Sequence, residues 1–165
     1  MMSLEPTAKM IPDDEIMLRD LHHVSLLVRN VEKSAENFAK VFGIGPFSVT
    51  PYDAPAAKAT VYGKPCGYKL KFGNAKMGSI ALELVQPVEG DSALTDYISK
   101  HGEGLHHLAF SCAPPIDEEL AKWKKRGIEA LQVDKSISDD PRYGWAYMDT
   151  EKLVGCIIEI LCLPP

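Results

Sequence analysis

Residues 21–28 read Leu-His-His-Val-Ser-Leu-Leu-Val, and residues 105–112 read Leu-His-His-Leu-Ala-Phe-Ser-Cys. The two runs are offset by 84 residues, and each is a short apolar stretch of the kind that forms a strand. The segments downstream of the two runs are repeated too. After the first run, Asn30 is a helix N-cap, Val31, Ala35, Phe38 and Phe42 recur on one helical face, and Gly43 closes the helix. After the second, Ile116, Leu120 and Trp123 recur at matching positions and Gly127 closes the helix. Each half then ends in a matching strand, Ile-Ala-Leu-Glu-Leu-Val at 80–85 and Ile-Ile-Glu-Ile-Leu at 157–161. Repetition in this order describes a duplicated module.

Further strands are predicted at 58–62 and 68–72 in the first half and at 129–133 and 144–149 in the second, punctuated by glycine and proline. The order β-α-β-β-β, written twice, predicts an α+β fold. Tandem βαβββ modules would form a curved mixed or antiparallel sheet. The chain divides into an extension (1–20), a first module (21–90), a linker helix and loop (91–103) and a second module (104–165). The linker helix is expected from Asp91-Ser92, then Leu94, Tyr97 and Ile98, with Gly102 after it.

The chain has 165 residues, 45% of them hydrophobic and 25% charged, which suits a globular protein. Its net charge of −5 disfavours nucleic acid, which needs a basic face. The basic run Lys122, Lys124, Lys125 and Arg126 falls on the polar side of the second helix and reads as a solvated face. No apolar stretch reaches the ~20 residues of a membrane span. The first twenty residues hold Asp13, Asp14 and Glu15 and lack the apolar core of a signal peptide. Cys66, Cys112, Cys156 and Cys162 form no C-x-x-C pair, so thiols and a cytoplasmic location are expected.

Side chains alternate across a strand. His23, Ser25 and Leu27 therefore share one face, and His107, Ala109 and Ser111 share its counterpart; small residues beside each His would suit the border of an open cleft. Glu83 and Glu159 each sit within an aliphatic strand, at equivalent positions. Two such carboxylates are costly to bury unpaired, and a shared divalent cation would compensate both. Two imidazoles and two carboxylates suit Zn, Ni, Co, Mn or Fe. His22 and His106 are expected to pack, or to support the ligands from behind. His101 is expected in a loop.

These features resemble the vicinal-oxygen-chelate superfamily, which includes glyoxalase I, methylmalonyl-CoA epimerase, extradiol dioxygenases and the bleomycin- and fosfomycin-resistance proteins. The resemblance spans roughly residues 21–162. It is strongest to methylmalonyl-CoA epimerase, through Glu83-Leu84-Val85-Gln86-Pro87, Asp91-Ser92 and Lys100-His101-Gly102-Glu103-Gly104-Leu105-His106-His107. It implies one divalent metal ion held by His23, Glu83, His107 and Glu159 around a cleft. It also implies a small-molecule substrate, an acyl-CoA among the candidates, and a homodimer. This ligand set is shared by the epimerase and by glyoxalase I. Two segments depart from the epimerase pattern. Residues 67–72 hold no acid where that resemblance would place a base, and residues 148–152 read Met-Asp-Thr-Glu-Lys in place of a His-Pro-Lys turn.

The chemistry implied is metal-dependent isomerisation, epimerising methylmalonyl-CoA or a related acyl-CoA through an enolate, with Glu159 as the proton-transferring carboxylate. Lys69, Lys71, Tyr143 and Tyr147 are candidates for acid or substrate contacts. A glyoxalase-I-like lyase shares the site. An Fe(II) extradiol-type dioxygenase would use His23, His107 and Glu159 alone. A drug-binding protein without metal is the non-enzymatic alternative.

Overall fold

The computed structural model describes residue 16 and residues 18–165; the expected extension over 1–20 lies almost wholly outside them. Among the described residues, ten strands and four helices succeed one another in chain order. The first half contains β1 (Leu21–Leu27), α1 (Val31–Phe42), β2 (Ser48–Ala54), β3 (Ala59–Val61), β4 (Lys64–Pro65), β5 (Tyr68–Met77) and β6 (Ile80–Glu89). Then come α2 (Ala93–His101), β7 (Gly104–Ser111), α3 (Ile116–Lys125), β8 (Ala130–Asp134), β9 (Gly144–Met148), α4 (Glu151–Val154) and β10 (Ile157–Cys162).

All ten strands join one curved sheet in the order β2-β5-β6-β1-β7-β10-β9-β8-β3-β4. The halves meet where β1 and β7 run antiparallel, and β6 and β10 flank this pair in parallel. From that seam outward, each half repeats the same arrangement in mirror order. The repeat in the sequence is thus an approximate twofold relation in space.

The two longest helices cover the convex face. Asn30 caps α1 by accepting from the Lys33 amide at 2.8 Å. Gly43, at φ 68°, ends it with its amide on the Ala39 carbonyl. Val31, Ala35 and Phe38 pack with Leu26, Val28, Leu84 and Phe47. Phe42, expected on the same face, is 68% exposed: it is the last residue of the helix, beyond the sheet's reach. Ile116, Leu120 and Trp123 of α3 pack with Leu108, Phe110, Ile158 and Ile160. On its polar side Lys122 pairs with Glu119 and Lys124 with Glu129.

The concave face is filled by Leu27, Tyr68, Leu70, Val85, Trp145 and Tyr147, over which α2 lays Leu94 and Ile98. Ser92 caps α2 through the Thr95 amide, and the Gln132 side chain accepts from the Ala93 amide. The sheet's far edges are fastened to each other. The Tyr68 hydroxyl donates to buried Asp134 at 2.5 Å, and Tyr52 bonds Ser136, which donates to the same carboxylate.

Three expectations are corrected. The strand predicted at 58–62 leaves its own half, pairing as β3 with β8 of the second half (Thr60 opposite Val133). Its place beside β5 is taken by β2, a strand that local sequence does not suggest because Pro51 and Asp53 disfavour it; Pro51 is tolerated because β2 is an edge. The late turn at 148–152 runs into the short helix α4, which begins at Glu151. Finally, Cys112 and Cys162 are not thiols but a disulfide. Leu161 pairs with Ser111, so the next residues along these parallel strands are neighbours. Cys66 and Cys156 are free. A cytoplasmic location therefore no longer follows from the cysteines. Among the described residues no helix is long and apolar enough to cross a membrane.

Candidate metal centre

The register of the four central strands assembles the site. Glu83, Ser25 and His107 lie side by side across β6, β1 and β7. In the next row His23, Ala109 and Glu159 lie side by side across β1, β7 and β10. Each row is the twofold counterpart of the other. Adjacent strands stand ~4.8 Å apart, so a carboxylate and an imidazole two strands apart can lean together only over a small residue. Ser25 and Ala109 occupy those central positions.

His23 Nε2 and His107 Nε2 lie 3.0 Å apart. Glu159 Oε2 is 3.1 Å from the first and 3.2 Å from the second, and Glu83 Oε1 is 3.5 Å from each. The ligand atoms of His23, Glu83 and His107 all fall within 4.8 Å of one another. Ligands ~2.1 Å from an ion at tetrahedral or octahedral angles stand roughly 3.0–3.4 Å apart, which these contacts match. The chemistry of the donors fits as well. Glu159 Oε2 is buried, and the polar atoms it faces are the Nε2 atoms of His23 and His107, at 3.1 and 3.2 Å. Two Nε2 atoms pointing at one carboxylate oxygen and at each other have more lone pairs than protons can bridge. A divalent cation among His23, Glu83, His107 and Glu159 would satisfy all four.

Protons redistribute around the same geometry. Burial disfavours charge on His107, but Glu159 and Glu83 outweigh it and push the imidazole up to about 9. Burial would raise Glu159, but His107 and His23 hold it down at about 2. Ser25 donates to Glu83 Oε1 at 2.9 Å, orienting that carboxylate.

Alternation alone does not describe this face. The β1–β7 register slips twice. His22 and His23 together oppose Ala109, and His106 and His107 together oppose Ser25. Each slip is a β-bulge, a device that re-aims side chains beside functional sites. His22 Nδ1 lies 2.9 Å from His23 Nδ1, and His106 Nδ1 lies 2.8 Å from His107 Nδ1. His106 is buried between the rings of Tyr97 and Tyr147, and burial lowers its pKa well below the ordinary histidine value.

The expected open cleft is largely closed. His107 is 0% exposed, and the Tyr147 ring stands 4.9 Å away. Space remains on the His22 side, where a cavity of about 450 Å³ is lined by His22, Asn74, Lys76, Ser79 and Ala81. Ala81 is the strand neighbour of His23, and Asn74 of Glu83. Asn74 and Lys76 were missed in the sequence, although alternation from Tyr68 along β5 would have found them.

Of the other candidates, Tyr147 lies opposite Glu159 in the β9–β10 pairing, and burial keeps its hydroxyl protonated. Lys69 and Lys71 are elsewhere. They alternate with inward Leu70, Lys71 pairs with Glu32 of α1, and Lys69 pairs with Glu89. Tyr143 stacks beneath the Arg142 guanidinium. His101 ends α2 instead of lying in a loop, its ring stacked on Tyr97.

Residues 22–145 match the Glyoxalase/Bleomycin resistance protein/Dioxygenase superfamily. An uncharacterized protein of Bacillus subtilis (strain 168), YqjC, is 49% identical over 92 residues, covering 53% of this chain and 60% of that protein's length. Among solved structures, a variant of Streptomyces coelicolor methylmalonyl-CoA epimerase bound to 2-nitronate-propionyl-CoA superposes with a TM-score of 0.62 at 19% identity, covering 88% of this chain and 95% of the other. The methylmalonyl-CoA epimerase of Mycobacterium tuberculosis gives 0.60 at 13% identity, covering 90% of each chain. A hypothetical protein of Bacillus halodurans C-125 gives 0.61 at 16% identity, covering 88% and 95%. At these identities the likeness is one of fold.

Proposed function

The chain belongs to the glyoxalase/bleomycin resistance/dioxygenase superfamily, and from that premise we propose that it is a metal-dependent isomerase that epimerises methylmalonyl-CoA or a related acyl-CoA. The observation that carries this reading is the convergence of His23, Glu83, His107 and Glu159 within 3.0–3.5 Å contacts. A divalent ion bound there would supply Lewis acidity toward two neighbouring substrate oxygens.

The chain's own residues do the rest. Glu159, once its carboxylate loosens from the ion it would share with His23 and His107, takes the α-proton. Tyr147, opposite Glu159 in the strand pairing and kept protonated by burial, would donate a hydrogen bond or a proton from its own side. The cavity at His22 admits the acyl group, and Lys76, on a rim that also carries Asp20, is the cation there that would meet a substrate carboxylate. The active form is a homodimer, as the family resemblance implies.

The test is α-proton exchange. Purified protein loaded in turn with Co, Zn, Ni, Mn or Fe should racemise (2R)-methylmalonyl-CoA and incorporate one solvent deuterium at the α-carbon. No exchange with any ion, alongside turnover of methylglyoxal and a thiol, would replace this reading with a glyoxalase-type lyase.

A further inference from the structure

The His-His dipeptide occurs twice, yet the proposed metal site uses one imidazole from each pair. The two bulges account for the other. They bring His22 against His23 and His106 against His107, each pair joined Nδ1 to Nδ1. We propose that His22 and His106 are positioning residues that accept the Nδ1–H of His23 and His107. They thereby fix both ligands in the tautomer whose Nε2 is bare. This inference rests on the metal reading.

Once an ion has displaced the extra His107 proton, both rings of each pair are neutral, and two imidazole nitrogens at 2.8–2.9 Å share one proton, so one is donor and the other acceptor. Were the outer histidine the donor, the inner one would carry its own proton on Nε2. That proton would sit in the 3.0 Å gap between His23 and His107, where the ion belongs. The opposite assignment clears both Nε2 atoms at once. Ligand histidines ordinarily obtain this orientation from a carboxylate or a backbone carbonyl; here a second imidazole stands in that place.

The geometry recurs in both halves. The ring planes cross at 77° in the first pair and 84° in the second. His106 is held by Tyr97 and Tyr147, with ring centres at 4.6 and 5.2 Å. Its acceptor nitrogen is therefore oriented before any ion arrives. A one-residue bulge at each position is what lets consecutive strand residues meet in this way.

His22 is exposed, so substitution there leaves the core intact. Co(II) is titrated into wild type, His22→Ala and His22→Asn, followed by the visible absorption of the bound ion. His22→Ala should bind about 10–100-fold more weakly. His22→Asn, whose amide oxygen can accept the same N–H, should recover most of that loss. In the Zn(II)-loaded wild type, imidazole ¹⁵N spectra should show His23 and His107 protonated at Nδ1 and metallated at Nε2. Affinity within twofold of wild type for His22→Ala, equal weakening in both variants, or metal on Nδ1 overturns this inference alone. A wild type that binds no Co(II) overturns the metal reading together with it.

Discussion

His23 Nε2 and His107 Nε2 stand 3.0 Å apart, although 84 residues separate them in the chain. Both are almost wholly buried, and both face the same Glu159 oxygen. Without an ion, that closeness is sustained by a proton on His107 and a charge on Glu159. With one bound among them, as proposed, it would become a coordination sphere.

The protein should therefore bind one divalent ion per chain, and the ion should stabilise it. At a free concentration 100 times Kd the gain is ~2.7 kcal/mol, visible as a higher Tm. His107→Ala should abolish both binding and the shift. Elemental analysis after dialysis and thermal melts with and without chelator measure this. A chelator-insensitive Tm with no bound metal would sink it.

Metal affinity should climb with pH. His107 is raised from its ordinary 6.5 to about 9, so its stabilising pairing is full below 6.5 and is lost as pH rises through 9. Glu159 is lowered from 4.5 to about 2, so its contribution is present above 4.5 and lost as pH falls through 2. The metal-free protein should accordingly gain most from this pair between 4.5 and 6.5. An incoming ion must displace the His107 proton, so apparent affinity should rise up to about tenfold per pH unit below 9. Calorimetry at about pH 7 in buffers of differing ionisation enthalpy should find about one proton released per ion; finding none contradicts the proton assignment.

Glu159→Gln should keep the site's shape and lose the chemistry. The amide offers one oxygen to a metal but cannot take a proton, so α-deuterium exchange should drop by roughly 10²–10⁴. Exchange kinetics on methylmalonyl-CoA, run beside wild type at matched metal occupancy, check this. Near-normal exchange in Glu159→Gln would assign proton transfer to another group.

Gly144→Ala should destabilise the second half. A Cβ there would lie 2.5 Å from the Asp134 carbonyl oxygen, a backbone atom that cannot swing away. The expected loss is about 1–3 kcal/mol, read from urea unfolding. A variant of unchanged stability would show that β8 and β9 can part at no cost.

Much of this molecule is readable in the chain. The duplicated strand-helix-strand order and the apolar stripes of α1 and α3 are local patterns with their own periods. So is the placement of His23, Glu83, His107 and Glu159 at repeated offsets. Local periodicity suffices for these because each depends on residues a few positions apart.

Other features depend on which strands become neighbours, and no local pattern reveals them. The exchange of β3 onto β8, the edge position of β2 with its proline, and the Cys112–Cys162 bond all arise from pairing across the sheet. Strict alternation places His22 and His106 on the wrong face, because a bulge exists only relative to the strand opposite. The sequence by itself determined that four metal-type side chains occur in two equivalent sets. Only the tertiary structure decided that they converge, and that a second imidazole stands behind each ligand, because register between distant strands is set by the packing of the whole sheet.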